Sequence, residues 1–171
     1  ALQKQFPEFV FPERTYNIIP VIDVPSPYNY KLKGLMRNFG GITADLFRLK
    51  IKSLYLRFIV LLGFKHDPYD TFKYIINRQR HSKYKFLFFF LIGDYSTYDK
   101  GINPNKKKFV SLIKHVGDYC RVGLKVSFLA IENSSTLKKE KIKMEEILNT
   151  NLRATRQSFS KLNLPDAYRN L

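Results

Sequence analysis

The chain has 171 residues and a formal net charge of +16 at pH 7, from 30 lysines and arginines against 14 aspartates and glutamates. A hydrophobic content of 44% is enough for a packed core and excludes a disordered chain, and a single cysteine excludes a disulfide scaffold. No apolar stretch approaches the roughly 20 residues of a membrane span. No signal peptide is visible either, so we expect a cytoplasmic protein without a transmembrane segment.

The excess of basic residues has two interpretations. Such a charge suits a polyanionic partner, a class that includes nucleic acid, acidic glycans and anionic membrane surfaces. The chain is also rich in Lys, Asn, Ile, Phe and Tyr, which AT-rich codons favour, so compositional bias accounts for the same excess. Charge by itself therefore does not decide whether the protein has a polyanionic partner.

The first half of the chain predicts one strand followed by helices. Ile18–Val24 is a short β-branched run typical of a buried strand. From Ile42 to Leu62 a high density of apolar residues is interrupted by basic ones, which favours one or two amphipathic helices. Asp67 matches a helix N-cap with Pro68 at the first helical position, and predicts a helix over Thr71–Arg80.

The second half predicts three more strands separated by two helices. Phe86–Ile92 is a continuous apolar run of strand length. Helical periodicity follows over Lys106–Tyr119, then a third strand over Val122–Ile131. A charged helix over Thr136–Leu148 leads to a fourth strand or extended segment at Ala154–Leu162.

Alternation of strands and helices predicts an α/β protein with a mainly parallel sheet. We interpret residues 1–17 as an arm or the end of a preceding domain, and residues 18–171 as one α/β domain whose last helix starts at Pro165. A sheet of about four strands leaves an open apolar edge. We therefore expect missing downstream residues, a partner or a second copy to complete it.

Candidate site residues follow the predicted strands, because functional sites of such folds lie at the carboxyl ends of the strands. Asp23 lies inside the first apolar run, where a carboxylate must be paired or hydrogen-bonded. Asp94 follows the second strand, and Arg156 with Gln157 lies in the fourth. The alternatives are structural: a turn cap for Asp23, an Asp-rich turn at Asp94 and Asp99, and an ion pair for Arg156.

Two common catalytic motifs are missing. No Gly-rich loop follows the first strand, which argues against a Rossmann or P-loop phosphate site. No Gly-x-Ser-x-Gly nucleophile elbow is present either.

Several short motifs follow one another along the chain. They are Ile19-Pro-Val-Ile-Asp-Val24 with Tyr28-Asn-Tyr-Lys-Leu-Lys-Gly-Leu35, Asp67-Pro-Tyr-Asp-Thr-Phe72, Phe88-Phe-Phe-Leu-Ile-Gly-Asp-Tyr95 with Tyr98-Asp-Lys100, Asp118-Tyr119 with Val122-Gly123, and Arg156-Gln-Ser-Phe159 with Leu164-Pro-Asp-Ala-Tyr-Arg169. In this order and spacing they resemble a Bacteroidetes-type branch of the polysaccharide deacetylases, the NodB-homology proteins of carbohydrate esterase family four. The similarity extends from about residue 12 onward.

The resemblance implies a NodB-like distorted (β/α) barrel, or part of one, and metal-dependent removal of acetyl groups from sugars. In such enzymes one Asp is the general base, while a second Asp and two His hold a divalent metal such as zinc. The base corresponds to Asp23, but the three ligand positions hold Pro25, Lys125 and Ser158. The resemblance therefore predicts a relative that has lost its metal site and uses no metal cofactor.

We expect a polysaccharide-deacetylase-like domain that binds acylated or acidic glycan, with Asp23 at the catalytic position. The expected substrate-binding residues are Asp94, Tyr95, Lys125, Arg156 and Gln157. We also expect the Lys125 ammonium to take the cation's place beside Asp23; the alternative is that Lys125 extends into solvent.

Two other functions remain open at this point. One is a basic structural module, bound to RNA or to a large assembly, that reuses the fold and contacts polyanions through Lys33, Arg37, Arg48, Lys50, Lys106–Lys108 and Lys138–Lys143. The other is an active enzyme with a rearranged site built from Asp23, Asp94 and a histidine.

Overall fold

The computed structural model describes residues 15–158 together with residues 5, 6 and 8. Within these residues four strands form one all-parallel sheet, in the order β1-β2-β3-β4. The strands are β1 (Val21–Val24), β2 (Leu87–Leu91), β3 (Arg121–Lys125) and β4 (Thr155–Arg156). The predicted α/β class and parallel sheet are confirmed, and all four strands fall within the predicted ranges or within one residue of them.

Six helices connect the strands within the described residues. They are α1 (Leu35–Phe47), α2 (Ile51–Leu61), α3 (Phe72–Arg80), α4 (Lys107–Gly117), α5 (Phe128–Glu132) and α6 (Ser134–Leu148). The apolar region predicted as one or two helices is thus a pair, α1 and α2. No helix in the described part of the chain is both long and apolar enough to cross a membrane.

The predicted third strand is too long, because its last residues fold as α5. Ser127 ends the extended backbone and caps this helix, with its Oγ accepting a hydrogen bond from Ala130 N at 3.2 Å. The end of the predicted fourth strand, from residue 159, lies outside the described residues. The helix predicted at Pro165 and most of the arm over residues 1–17 lie outside them as well.

The predicted N-cap at Asp67 is wrong, since α3 begins five residues later, after Thr71. The Asp67 carboxylate instead accepts backbone N–H bonds from Asn29, Tyr30 and Lys31 at 2.7, 2.8 and 3.0 Å. It also accepts the N–H of Tyr69, at 3.1 Å. Asp67 therefore anchors a distant turn, because an ionised carboxylate can accept several donors at once.

The core lies on one side of the sheet. Phe88 and Phe90 of β2 are fully buried there, against Phe72 of α3 and Phe109 of α4 at ring-centroid distances near 6 Å. Buried residues of α6, including Met144, complete the same cluster. Fully burying each large apolar side chain contributes about 1.5–3 kcal/mol, so this side of the sheet determines where the connecting helices pack.

The opposite side of the sheet carries the polar candidates. Asp23 pairs in register with Phe89, and Phe89 pairs with Gly123, so these three residues lie on the same face of the sheet. Lys125 and Arg156 pair with each other across β3 and β4 on that same face. A Cβ at Gly123 would come within 2.6 Å of the Phe89 ring, so glycine is what lets that ring lie across β3.

Candidate functional site

An ion pair joins two predicted site residues across the sheet. Lys125 Nζ lies 2.5 Å from Asp23 Oδ2, and Arg156 Nε lies 3.9 Å from the same oxygen. The Lys125 and Asp23 side chains are 15% and 30% exposed, while that of Arg156 is 48% exposed. The expected pairing of Lys125 with Asp23 is confirmed, and the solvent-directed alternative is wrong.

The sheet topology explains why lysine can make this contact. Lys125 ends β3 and Asp23 lies in β1, so β2 separates them by two strand spacings of about 4.8 Å each. A four-carbon stem can cross the middle strand and still present its ammonium to the carboxylate. The alternative that Asp23 caps the turn after β1 is not supported. The side-chain hydrogen bond within that turn comes from Ser26, whose Oγ donates to Tyr28 O at 3.0 Å.

The residues at this site do not fit a divalent cation. Pro25 has no ligand atom, and the Lys125 ammonium places a positive charge against the Asp23 carboxylate. Ser158 is buried and its neutral hydroxyl makes a structural hydrogen bond, donating to Val126 O at 2.9 Å. Among the residues described, no group of three His, Cys, Asp or Glu side chains could hold a metal ion.

The other predicted binding residues do not join the cluster of Asp23, Lys125 and Arg156, which we call the trio. Tyr95 is exposed and lies beneath the Arg37 guanidinium, 4.4 Å from its ring centroid, with Lys100 Nζ 3.4 Å from its hydroxyl. Gln157 is half-buried next to Arg156 in the chain. No hydrogen bond or ion pair within residues 15–158 links Asp94, Tyr95 or Gln157 to Asp23.

Asp94 lies instead beside a separate cleft of about 410 Å³ on the helix side of the strand ends. Its lining includes Gly93, Ser127, Lys139, Glu140 and Lys143. This separation removes the support for a rearranged active site that combines Asp23 with Asp94. The nearby Asp99 fits the structural alternative, because its carboxylate is buried and accepts the N–H of Phe128 at 2.6 Å.

Glu140 lines the cleft beside Asp94, and the sequence analysis did not identify it. It is only 7% exposed, and its carboxylate accepts the N–H of Ser127 at 3.2 Å. Burial raises the pKa of Glu140 above its ordinary value, although hydrogen bonds from Ser127 act in the opposite direction. Its place within the basic run 138–143 suggested a solvated face, but it shares a helical stripe with the buried Leu137 and Met144.

We predict that Glu140→Gln makes the protein relatively more stable than the wild type as pH rises. Because the folded pKa is raised, the contribution of Glu140 to stability is complete below about pH 4 and is lost as pH rises through the folded pKa. Glutamine keeps a hydrogen-bond acceptor but cannot ionise. Urea unfolding of both proteins at pH 4.5 and 8 measures the change, and an identical stability difference at both values would contradict it.

A larger cleft of about 600 Å³ opens at the other end of β3, near Cys120. Burial raises the pKa of the Cys120 thiol, which keeps it protonated and unreactive near neutral pH. In folds with sequential parallel strands, this amino end of the sheet serves stability rather than chemistry. The chemistry of the side chains therefore favours the Asp23 site over the larger opening.

Two of the basic residues predicted to contact a polyanion have structural roles. Arg37 donates from both terminal nitrogens to Gly101 O and Lys100 O at 2.8 Å. Lys106 Nζ donates to Leu32 O at 2.6 Å. Their charges help attach the segment around α1 to the rest of the domain. Only the remaining basic residues of the predicted set are therefore left to contact a polyanion.

Comparison with protein-family models, curated proteins and solved structures finds no match to this chain. The similarity to polysaccharide deacetylases thus stays a prediction based on the sequence motifs.

Proposed function

We propose that this chain is a polysaccharide-deacetylase-like domain without the metal centre, and that it binds acidic glycan at the Asp23 site. The observation that carries the proposal is the Lys125–Asp23 ion pair at 2.5 Å. It joins the position of the family's catalytic base to a position where the family has a metal ligand. A lysine there stabilises the site without a cation and removes the means of polarising an acetyl carbonyl.

The charge of the trio favours an acidic ligand. Lys125 neutralises Asp23, which leaves the Arg156 guanidinium as the excess positive charge. That guanidinium is 48% exposed and contacts Asp23 only at 3.9 Å, so most of its donors are available to a ligand. Arginine binds carboxylates with two parallel hydrogen bonds, a geometry that suits the uronate groups of acidic polysaccharides.

The strand order supports a barrel-like origin for the domain. The strands lie in sequential order, and helices from all three connections contribute to one core on one face. A (β/α) barrel has this arrangement, whereas a doubly wound sheet reverses its strand order and carries helices on both faces. In a barrel the face with Asp23 would point inward, where NodB-type enzymes bind sugar.

The test is ligand binding by matched arginine variants. Arg156→Gln should weaken binding of an oligouronate at least tenfold, because a charge-assisted hydrogen bond contributes about 1.5–3 kcal/mol. Arg153→Gln, which removes the same charge from an exposed position nearby, should leave the affinity almost unchanged. Calorimetry with an oligouronate, a neutral oligosaccharide and an N-acetylated chito-oligosaccharide measures both effects.

Three results would contradict the proposal. Equal affinity for the neutral sugar would remove the role of the Arg156 charge. Equal losses from both arginine variants would indicate attraction by overall charge alone. Tight binding of an RNA oligonucleotide, with no binding of any sugar, would favour the alternative of a basic nucleic-acid-binding module.

A further inference from the structure

The helical hairpin formed by α1 and α2 turns its polar groups inward. Arg57 of α2 pairs with Asp45 of α1 at 2.7 Å, and both side chains are less than 20% exposed. A Cβ at Gly41 would overlap the Arg57 guanidinium, so glycine allows that group to lie flat between the helices. Asn38 is buried on the same side. The hairpin thus places these polar and charged groups on its protein side, beside the fully buried Val60 of α2.

The outward side of the hairpin carries many large apolar side chains, where a helix pair in water usually carries polar ones. Its most exposed members include Leu35, Met36, Phe39, Phe47, Leu49 and Ile51, each more than two-thirds exposed. We call these six residues the hairpin apolar surface. Isolated exposed apolar residues are ordinary, but this many on one short helical hairpin point to an interaction surface.

The tip of the hairpin alternates apolar and basic side chains. Between Phe47 and Lys52 the sequence is Phe-Arg-Leu-Lys-Ile-Lys, and all six residues are exposed. Leu49 there has φ 51°, a left-handed conformation that is uncommon for a residue with a branched side chain. Neither burial nor backbone preference explains leucine at this position, which favours a role in contact with something outside the fold.

The charge around this surface is almost wholly positive. Residues 31–66 contain eight lysines and arginines, and Asp45 is the one acidic residue. The Asp45 carboxylate forms an ion pair with Arg57, so no acidic group of the hairpin faces outward. The exposed cations at the tip are Arg48, Lys50 and Lys52. A partner must accordingly offer both negative charge and an apolar layer.

We propose that the hairpin apolar surface docks onto an anionic lipid bilayer. A bilayer interface supplies phosphate groups for the basic residues and acyl chains for the apolar ones, within the 5–10 Å depth that interfacial helices reach. A second copy of the chain would bring the same positive charges into contact. Nucleic acid would complement the lysines but leave leucine and phenylalanine in water.

The hairpin lies in the bilayer interface and does not cross the membrane. Its helices have 13 and 11 residues. At 1.5 Å per residue they are about 20 and 17 Å long, against about 30 Å of hydrocarbon in a bilayer. The Arg57–Asp45 pair, whose side chains are less than 20% exposed, also stays on the protein side.

Vesicle flotation of the whole chain tests the proposal. Phosphatidylcholine vesicles containing phosphatidylglycerol should bind the protein at about 0.1 M salt and release it near 1 M, where the Debye length falls from about 10 to 3 Å. Lys50→Gln with Lys52→Gln should weaken binding about 25-fold, at about fivefold per lysine. The matched control, Lys107→Gln with Lys108→Gln, removes two exposed lysines of α4 and should change little.

The apolar contribution is tested by a second matched pair. Leu49→Ser should weaken binding about tenfold, while Ile142→Ser, at a half-exposed position on α6, should not. No vesicle binding, equal binding to pure phosphatidylcholine, or equal losses from both lysine pairs would overturn the proposal. So would self-association that Leu49→Ser abolishes without any vesicle binding, since a second copy would then cover the surface.

Discussion

Breaking the Lys125–Asp23 ion pair is expected to lower the free energy of unfolding by about 2 kcal/mol. Exposed pairs contribute about 0.2–1 kcal/mol, and removing one partner of a fully buried pair costs about 3–5 kcal/mol. With side chains 15% and 30% exposed, this pair lies between those limits. Lys125→Met keeps the length of the stem and removes the charge, so the loss reports mainly on the ammonium.

A double-mutant cycle isolates the interaction from other effects of each substitution. Urea unfolding of Lys125→Met, Asp23→Asn and the double variant should give a coupling energy of at least about 1 kcal/mol. The exposed Lys143–Glu146 pair, 3.8 Å apart, is the matched control and should give about 0.5 kcal/mol or less. Equal coupling in the two cycles would mean that the Asp23 site is only an ordinary surface contact.

Replacing Asp67 with alanine should have a still larger effect, about 3 kcal/mol or more. Its carboxylate accepts four backbone N–H groups, and three of them belong to the turn at residues 29–31. Each buried donor left without a partner costs about 1–3 kcal/mol. Asp67→Asn should cost less, because one oxygen acceptor remains. Chemical denaturation at neutral pH compares the two variants.

The same site predicts a specific loss of stability in acid. Burial raises the pKa of Asp67, but the backbone hydrogen bonds from Asn29, Tyr30, Lys31 and Tyr69 outweigh it, so the net pKa is lowered. A depressed pKa contributes stability that is present above the unfolded value, near pH 4, and is lost as pH falls through the folded value. The wild type should therefore lose more stability than Asp67→Ala below about pH 4. Parallel acid unfolding curves would refute this.

The position of the Asp23 site could be predicted because it follows from the topology of a parallel sheet. Parallel strands bring their carboxyl ends to one edge, so Asp23, Lys125 and Arg156 were expected to meet. The same rule does not say which side of the sheet a residue after the strand will take. Asp94 follows β2 by three residues and turns to the helix side, which the apolar pattern of the strand does not specify.

The outcomes at Glu140 and Asp67 differ in the kind of signal that was available. Glu140 shares a helical stripe with buried residues, and that periodicity could have identified it as buried despite the lysines around it. Asp67 followed by Pro68 is a good local match to a helix start. Its actual partners lie 36 to 38 residues away, and no local pattern could have identified them.

The order of strands and helices could be predicted from the sequence because hydrophobic periodicity identifies each element locally, and their alternation implies parallel strands. The tertiary structure was needed to choose between the two predicted positions of the Lys125 side chain, since its contact with Asp23, 102 residues away, depends on the registers of three strands together. The packing likewise places Asn38, Asp45 and Arg57 of the hairpin on its protein side. An amphipathic pattern indicates that a helix has two different faces. Packing against the rest of the molecule decides which of the two faces is buried.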